Sequence, residues 1–206
     1  MIEKIIYPVE RKKYDDWAIY YENDGYTISG EKIMGRQAAG WSYLKALINS
    51  NPSRLGVYSK NLKQREFFKE DVTPILKSDQ NLVVDHIPYN NPFLSQPFGG
   101  IFFPGPGIEN FASERSIYGS NSYSIIGITH TTASHRVMTS IKNILTSRIM
   151  PWDCIICTSK VVLDTVNLIL DAEKDFLEQR LNIKNFILPE FPVIPLGIDN
   201  SEFLYS

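Results

Sequence analysis

Cysteine is scarce in this sequence, and long apolar runs are missing. The 206 residues include two cysteines, Cys154 and Cys157, and no N-terminal segment joins a charged stretch to a long apolar one. Neither a disulfide framework nor a signal peptide is therefore indicated, and a cytoplasmic protein is predicted. No apolar run approaches the roughly 20 residues that a membrane-spanning helix needs. Membrane contact is expected to be peripheral at most, at the inner face, through a helix carrying Lys142 and Arg148, although such helices more often pack on their own sheet.

The chain also lacks a large excess of positive or negative charge. The chain has 21 basic and 23 acidic side chains and a net charge of -2. Because no global positive field would attract a polyanion, nucleic acid is not expected as a partner. The glycines of SGEKIMGRQAAG do not match the dinucleotide-binding fingerprint, and no Lys-Ser/Thr pair follows a glycine loop. Both nucleotide-binding loops are therefore disfavoured.

Short apolar runs alternate with longer helical patterns along the chain. This alternation predicts the α/β class, with a mainly parallel β-sheet flanked by helices in a single Rossmann-like domain over residues 1–206. The beginning is ambiguous, because EKIIYPV and DWAIYYE both fit a first strand. Later strands are predicted at RLGVYS, NLVVDHIP (a short buried strand), GGIFFPGPG, SYSIIGITH, WDCIICTS and FPVIPLGIDNSEF.

The helical patterns carry specific start and stop signals. GRQAAGWSYLKALINS places Ala39, Tyr43, Ala46 and Leu47 on one face of a helix. LKQREFFKEDVTPILK predicts a helix interrupted near Pro74, and IENFASERSIYG is either irregular or helical. A helix also follows SYSIIGITH, and a long one follows WDCIICTS, with Ser159 as its N-cap.

Polar chemistry follows the predicted strand SYSIIGITH abruptly. His130 and a run of hydroxyls lie at the turn into the next helix, in THTTASHR. Ligands of open parallel sheets bind beyond the carboxyl ends of the strands, where helix N-termini offer free N–H groups. His130 is therefore either a site residue or a histidine at the core edge that a backbone carbonyl satisfies. We expect four polar turns, including those at Gly35 and Pro104, to lie along the same edge of the sheet, beyond the carboxyl ends of the strands.

The other candidate residues have simpler explanations. His135 and Arg136 are expected to face solvent at a helix start, and His86 lies at a strand end. Cys154 and Cys157 are three apart on a strand and point to opposite faces, so we interpret them as small buried hydrophobic residues. A metal site is not predicted, because no acidic or cysteine ligand accompanies the histidines at useful spacing.

Several segments together resemble the N-terminal domain of retaining glycosyltransferases of family 4, which have the two-domain GT-B architecture. The segments are IIGITHT, WDCIICTSKVVLDTV, FPVIPLGIDNSEF and MGRQAAGWSYLKAL, in the order and at the spacing of that family. The resemblance spans roughly residues 33 to 203. FPVIPLGIDNSEF, which is similar to the family's segment leading into its second domain, is the most specific of the four.

The resemblance implies a role for each site residue. His130 would lie under the transferred sugar and position the acceptor, and Gly35 and Arg36 would approach the donor diphosphate. Thr131 and Thr132 would either hydrogen-bond the acceptor or cap the next helix. Pro104 and Gly105 would shape the acceptor pocket. Lys160 would charge a helix start, and Asp199 would fix the interdomain turn.

The resemblance also implies partners. The nucleotide-sugar would be a co-substrate, with a glycan, lipid or other hydroxyl compound as acceptor. No cofactor or metal is expected, and the chain has no Asp-x-Asp sequence. Because the sequence stops at Ser206, a C-terminal donor-binding domain or a partner chain is expected to complete the enzyme.

Two alternatives remain open. A non-catalytic Rossmann-like binding or partner subunit would bind an acceptor and transfer nothing. An epimerase or short-chain dehydrogenase would need a dinucleotide loop and a Tyr-x3-Lys pair, and neither occurs.

Overall fold

The computed structural model describes residues 16–26 and 35–197. Strands and helices alternate within these ranges, as the sequence predicts. The strands are β1 (Trp17–Tyr20), β2 (Arg54–Ser59), β3 (Val83–Pro88), β4 (Gly100–Phe102), β5 (Ser124–Thr129) and β6 (Cys154–Cys157). The helices are α1 (Gly35–Asn49), α2 (Leu62–Val72), α3 (Glu109–Ser116), α4 (His135–Asn143) and α5 (Lys160–Leu181). Short 3₁₀ helices span Asn23–Gly25, Thr73–Ile75, Pro92–Phe98 and Ile144–Thr146.

The six strands form one sheet in the order β3-β2-β1-β4-β5-β6, and every pair is parallel. The prediction of an α/β Rossmann-like domain with a parallel sheet is thereby confirmed. The direction of winding reverses between β1 and β4, which lie side by side although a long stretch of chain separates them. In such sheets, the reversal point opens a crevice at the carboxyl edge, where ligands bind.

Each face of the sheet buries its own hydrophobic core. One core joins the sheet to α3, α4 and α5 through Ala112, Ile141 and Leu170. The other joins it to α1 and α2 through Leu44 and Phe68. Parallel strands are covered on both faces in this way because their crossover helices pack on the sheet.

Helix α1 packs on the sheet with a stripe of residues next to its predicted apolar face. Its fully buried positions are Gly40, Leu44 and Ile48, spaced four apart. On the predicted apolar face, Tyr43 and Leu47 are half-buried and pack against the core, while Ala39, Tyr43 and Ala46 also line an open cleft. Two adjacent apolar stripes run along this helix, and the sequence pattern does not distinguish the stripe that packs on the sheet.

Capping residues set several helix ends as expected. The Ser159 side chain accepts a hydrogen bond from the Val162 N–H and caps α5, which confirms that prediction. Helix α2 ends at Val72, two residues before Pro74. DWAIYYE supplies the first described strand, β1, whereas EKIIYPV lies outside the described residues.

The two outermost strands differ from expectation. Strand β3 is predicted to be buried, but it lies at the sheet edge with Val83 half-exposed. The predicted last strand is reduced to two bridges, which pair Glu190 with Cys154 and Val193 with Cys157. The Pro192 carbonyl accepts a hydrogen bond from the Cys157 N–H at 2.9 Å. Because proline has no N–H, Pro192 cannot donate the next hydrogen bond, and a regular ladder does not form.

Gly127 on β5 allows the chain after β4 to approach the sheet closely. A Cβ at Gly127 would lie 2.8 Å from the Gly105 carbonyl oxygen and 3.0 Å from Ile108 Cγ2. We predict that Gly127→Ala lowers the free energy of unfolding by about 1–3 kcal/mol, measured by urea denaturation, because backbone must move. Gly105→Ala is the control, since a Cβ there meets nothing within 4 Å. Equal stability of the two variants would contradict the prediction.

Candidate functional site

The carboxyl ends of the strands form a rim with two clefts. The first, which we call the histidine cleft, has a volume of about 780 Å³ and lies between α1, the ends of β4 and β5, and segment 194–197. The second, which we call the aromatic cleft, has a volume of about 820 Å³ and lies where the winding reverses. The predicted single site is thus divided in two.

The two clefts adjoin each other closely. Pro104 lines both of them. Gly40 lines the histidine cleft and Gly25 the aromatic cleft, and a Cβ on Gly40 would lie only 2.5 Å from the Gly25 carbonyl oxygen. Ligands held in the two clefts would therefore lie on opposite sides of a thin wall.

Side-chain alternation along β5 carries His130 to the α1 face. Ile126 and Ile128 pack in the core of that face, and His130 follows at the same spacing of two. His130 is half-buried and lines the histidine cleft. Its Nδ1 is buried and has no hydrogen-bond partner among the described residues. No described backbone carbonyl therefore satisfies this nitrogen.

Burial lowers the pKa of His130 below its ordinary value. The unfolded chain, with a histidine pKa of about 6.5, therefore binds more protons than the folded chain as the pH falls. Above the pKa of the unfolded chain, His130 does not affect the free energy of unfolding. This free energy decreases as the pH falls through the lower pKa that His130 has in the folded chain. In urea denaturation, we predict that wild type loses stability relative to His130→Gln between about pH 7.5 and about pH 5. A difference that does not change with pH would contradict this prediction.

Helix α1 reaches the histidine cleft with its first turns. Gly35 and Arg36 are its first two positions, and Ala38 and Ala39 line the cleft. The first N–H groups of a helix have no partner within the helix and carry partial positive charge. Among the described lining residues of this cleft, Lys45 is the only Lys or Arg.

Thr131 and Thr132 line neither cleft. The Thr131 hydroxyl accepts a hydrogen bond from the Ala133 N–H at 3.2 Å, within the turn that follows β5. Ser134, not a threonine, caps α4 by accepting from the Val137 N–H. The capping alternative for the two threonines therefore does not hold.

The segment after β4 belongs mainly to the aromatic cleft, which Phe103, Pro104 and Gly105 line. The Phe103 and Phe111 rings stack with their centroids 3.8 Å apart, and Tyr20 lies 5.3 Å from Phe103. Carboxylates and an exposed cation complete this wall: Glu22, Asp24, Glu109 and Arg136. Glu22 ends the predicted strand segment DWAIYYE and Asp24 follows it, and the position of β1 beside β4 is what brings both residues to the rim.

Of the remaining candidates, His86, Cys154 and Cys157 are not among the residues that line the two clefts. His86 Nε2 is 3.4 Å from the Ser59 carbonyl oxygen. Both cysteines are free thiols, and burial raises the pKa of Cys154 to about 11. His135 is exposed at the start of α4, as predicted, although it lines the aromatic cleft with Arg136. Asp199 lies outside the described residues.

A search for related proteins gives no family assignment. The sequence matches no protein-family model and no curated protein at a significant level. In the described part of the chain, no three His, Cys, Asp or Glu side chains are grouped so as to hold a metal ion. No helix there has the length and apolar character needed to cross a bilayer. Function therefore has to be argued from the two clefts.

Proposed function

We propose that this chain is the acceptor-side domain of a retaining glycosyltransferase of family 4 type. In this proposal, a sugar passes from a nucleotide-sugar to a hydroxyl acceptor at the rim, in the cytoplasm. The observation that carries the proposal is the position of His130, half-buried in a cleft whose wall also contains Pro104 and the first turns of α1. These three elements are the ones that the sequence resemblance assigns to the reacting groups.

The chemistry of His130 suits contact with a sugar. Because burial lowers its pKa, the imidazole is uncharged near neutral pH. A neutral imidazole accepts a hydrogen bond at one nitrogen and donates at the other. The unpaired, buried Nδ1 would gain a partner from a sugar hydroxyl, which offsets the cost of leaving a buried polar atom unsatisfied. His130 would thereby fix the transferred sugar relative to the acceptor, which lowers the barrier by orientation.

The leaving group needs stabilisation from two sources. The first turn of α1 offers N–H groups and a partial positive charge to a diphosphate. A single lysine in the described wall is little charge for such an anion, so we expect the second source on a C-terminal donor-binding domain or partner chain. No metal is part of this scheme, which relies on basic side chains and helix dipoles.

A second candidate function is a non-catalytic binding subunit. The aromatic cleft favours it, because stacked rings next to carboxylates can hold a sugar without any chemistry. Such a subunit would bind acceptors and release no nucleoside diphosphate.

A turnover screen separates the two candidates. The protein is isolated under native conditions from its own cells, together with any polypeptide that accompanies it. It is incubated with radiolabelled UDP-, GDP- and ADP-sugars and with panels of glycans and glycolipids. We expect nucleoside diphosphate release and a labelled glycoside. Acceptor binding without release would support the second candidate, and the absence of both would contradict both.

A further inference from the structure

The aromatic cleft has one wall of stacked rings. Phe103 and Phe111 stack at 3.8 Å, and the Tyr20 ring lies 5.8 Å from Phe111 and 5.7 Å from Tyr89. Aromatic faces bind the C–H-rich face of a pyranose, because that face is apolar and carries partial positive charge, whereas the ring face carries partial negative charge. Phe103 is almost fully buried, so the half-buried Phe111 ring, which Phe103 supports from behind, is the aromatic surface that fits one face of a sugar ring.

The described lining residues of the aromatic cleft include more carboxylates than Lys or Arg side chains. Glu22 and Glu109 supply two carboxylates, whereas Arg136 is the only Lys or Arg among the described lining residues. Glu22 accepts a hydrogen bond from the Tyr89 hydroxyl at 3.3 Å, which holds this carboxylate next to the ring wall. An anionic ligand would be repelled here, and a ligand with hydroxyl or ammonium donors would be attracted.

Glu109 has an unused acceptor at the cleft wall. Its Oε2 is buried and has no hydrogen-bond partner among the described residues. A Cβ on Gly107 would lie 3.7 Å from this oxygen and 3.2 Å from the Ser140 hydroxyl, so both groups lie beside the Gly107 backbone. A ligand hydroxyl that donates to Glu109 would satisfy this oxygen, which otherwise remains desolvated at a cost.

We propose that the aromatic cleft binds a non-anionic pyranose, neutral or aminated, as the terminal sugar of the acceptor. The identification of this sugar as an acceptor rests on the proposed function, whereas the sugar-binding site itself rests on the cleft alone. The sugar stacks on the half-buried Phe111 ring, and its hydroxyl groups donate hydrogen bonds to the Glu22 and Glu109 carboxylates. Since Pro104 lines both clefts, the bound sugar is next to the wall that His130 also lines.

Methyl glycosides of glucose, galactose, mannose, glucosamine and glucuronic acid test the proposal. Binding to the 206-residue chain is followed by saturation-transfer NMR. At least one neutral or amino sugar is expected to bind with a Kd on the order of 1 mM, the range for a ligand of this size. Glucuronide is expected to bind at least about tenfold more weakly because the Glu22 and Glu109 carboxylates repel its own carboxylate. Tighter binding of the glucuronide, or no binding of any probe, would overturn the proposal.

Variants then locate the bound sugar. Gly105 lines the aromatic cleft, and a Cβ there meets nothing within 4 Å, so Gly105→Leu is expected to fold and to obstruct the cleft. It should weaken sugar binding about tenfold or more. Glu109→Gln should weaken glucosamine binding and reduce the discrimination against glucuronide. Asp175→Asn, which removes an exposed carboxylate on α5, is the matched control and should change neither affinity.

The outcomes also separate this inference from the proposed function. Sugar binding that Gly105→Leu abolishes, in a protein that never turns over a nucleotide-sugar, would support the sugar site and contradict the transferase. Turnover that survives Gly105→Leu unchanged, with no sugar binding to wild type, would support the transferase and contradict the sugar site. Unchanged binding in a folded Gly105→Leu variant would place the sugar elsewhere and contradict the inference.

Discussion

Asp153→Ala is expected to lower the free energy of unfolding by about 3–5 kcal/mol, because it leaves a buried guanidinium without its counter-charge. Arg115 and Asp153 are both fully buried. Asp153 accepts hydrogen bonds from Arg115 Nη1 at 2.5 Å and Nη2 at 2.7 Å, and from the Ile125 N–H at 2.8 Å. Domains of this size are stable by about 5–15 kcal/mol, so the loss is a large fraction of the total.

Urea denaturation with three further variants makes this expectation specific. Asp171→Ala, which removes one partner of an exposed pair with Lys174, should cost less than about 1 kcal/mol. The double variant Arg115→Met with Asp153→Leu should recover only part of the loss, because no charge is then left buried but the Ile125 and Met150 N–H groups lose their acceptor. If Asp153→Ala does not fold, Asp153→Asn provides the intermediate measurement. A loss of less than about 1 kcal/mol in Asp153→Ala would contradict the assigned role.

His130→Ala is expected to reduce glycosyl transfer by about a hundredfold or more, because orientation of the sugar is lost. The melting temperature is expected to stay nearly unchanged, since the Nδ1 of this half-buried side chain makes no hydrogen bond in the fold. His130→Asn places an amide near the position of Nδ1 and should restore part of the rate if the role is hydrogen bonding. Turnover by His130→Ala at the wild-type rate would contradict the role.

Separate measurements of kcat and KM show how His130 acts. A hydrogen bond made equally in the ground state and the transition state would raise KM on removal and leave kcat unchanged. Positioning of the sugar for transfer predicts instead a lower kcat. The same measurement on Asp175→Asn, on the solvent face of α5, should equal that of wild type.

Much of the fold is predictable because its signals are local. Apolar runs of strand length, the proline at position 74 and the Ser159 cap each act within a few residues, and the structure confirms the proline, the cap and every predicted later strand up to β6. The position of His130 at the rim follows in the same way, since a strand that feeds a helix presents its last residues at the carboxyl edge.

Features that depend on distant contacts are not predictable from such signals. The Arg115–Asp153 pair joins residues 38 apart, and nothing in either local pattern indicates it. Glu22 and Glu109 share the aromatic cleft because β1 lies beside β4, and only the strand order brings them together. The division of the rim into two clefts likewise follows from the packing of Gly40 on Gly25.

The most direct test of the account is NMR of His130 in the presence of both ligand classes. The imidazole nitrogens of His130 and the amides of Ala38, Ala39 and Gly105 are followed while methyl glycosides and UDP, GDP or ADP are added at millimolar concentration. The account predicts that a glycoside perturbs Gly105 and that a nucleoside diphosphate perturbs Ala38 and Ala39, with His130 responding when both are present. Perturbations confined to the opposite edge of the sheet, around Arg115 and Asp153, would contradict it.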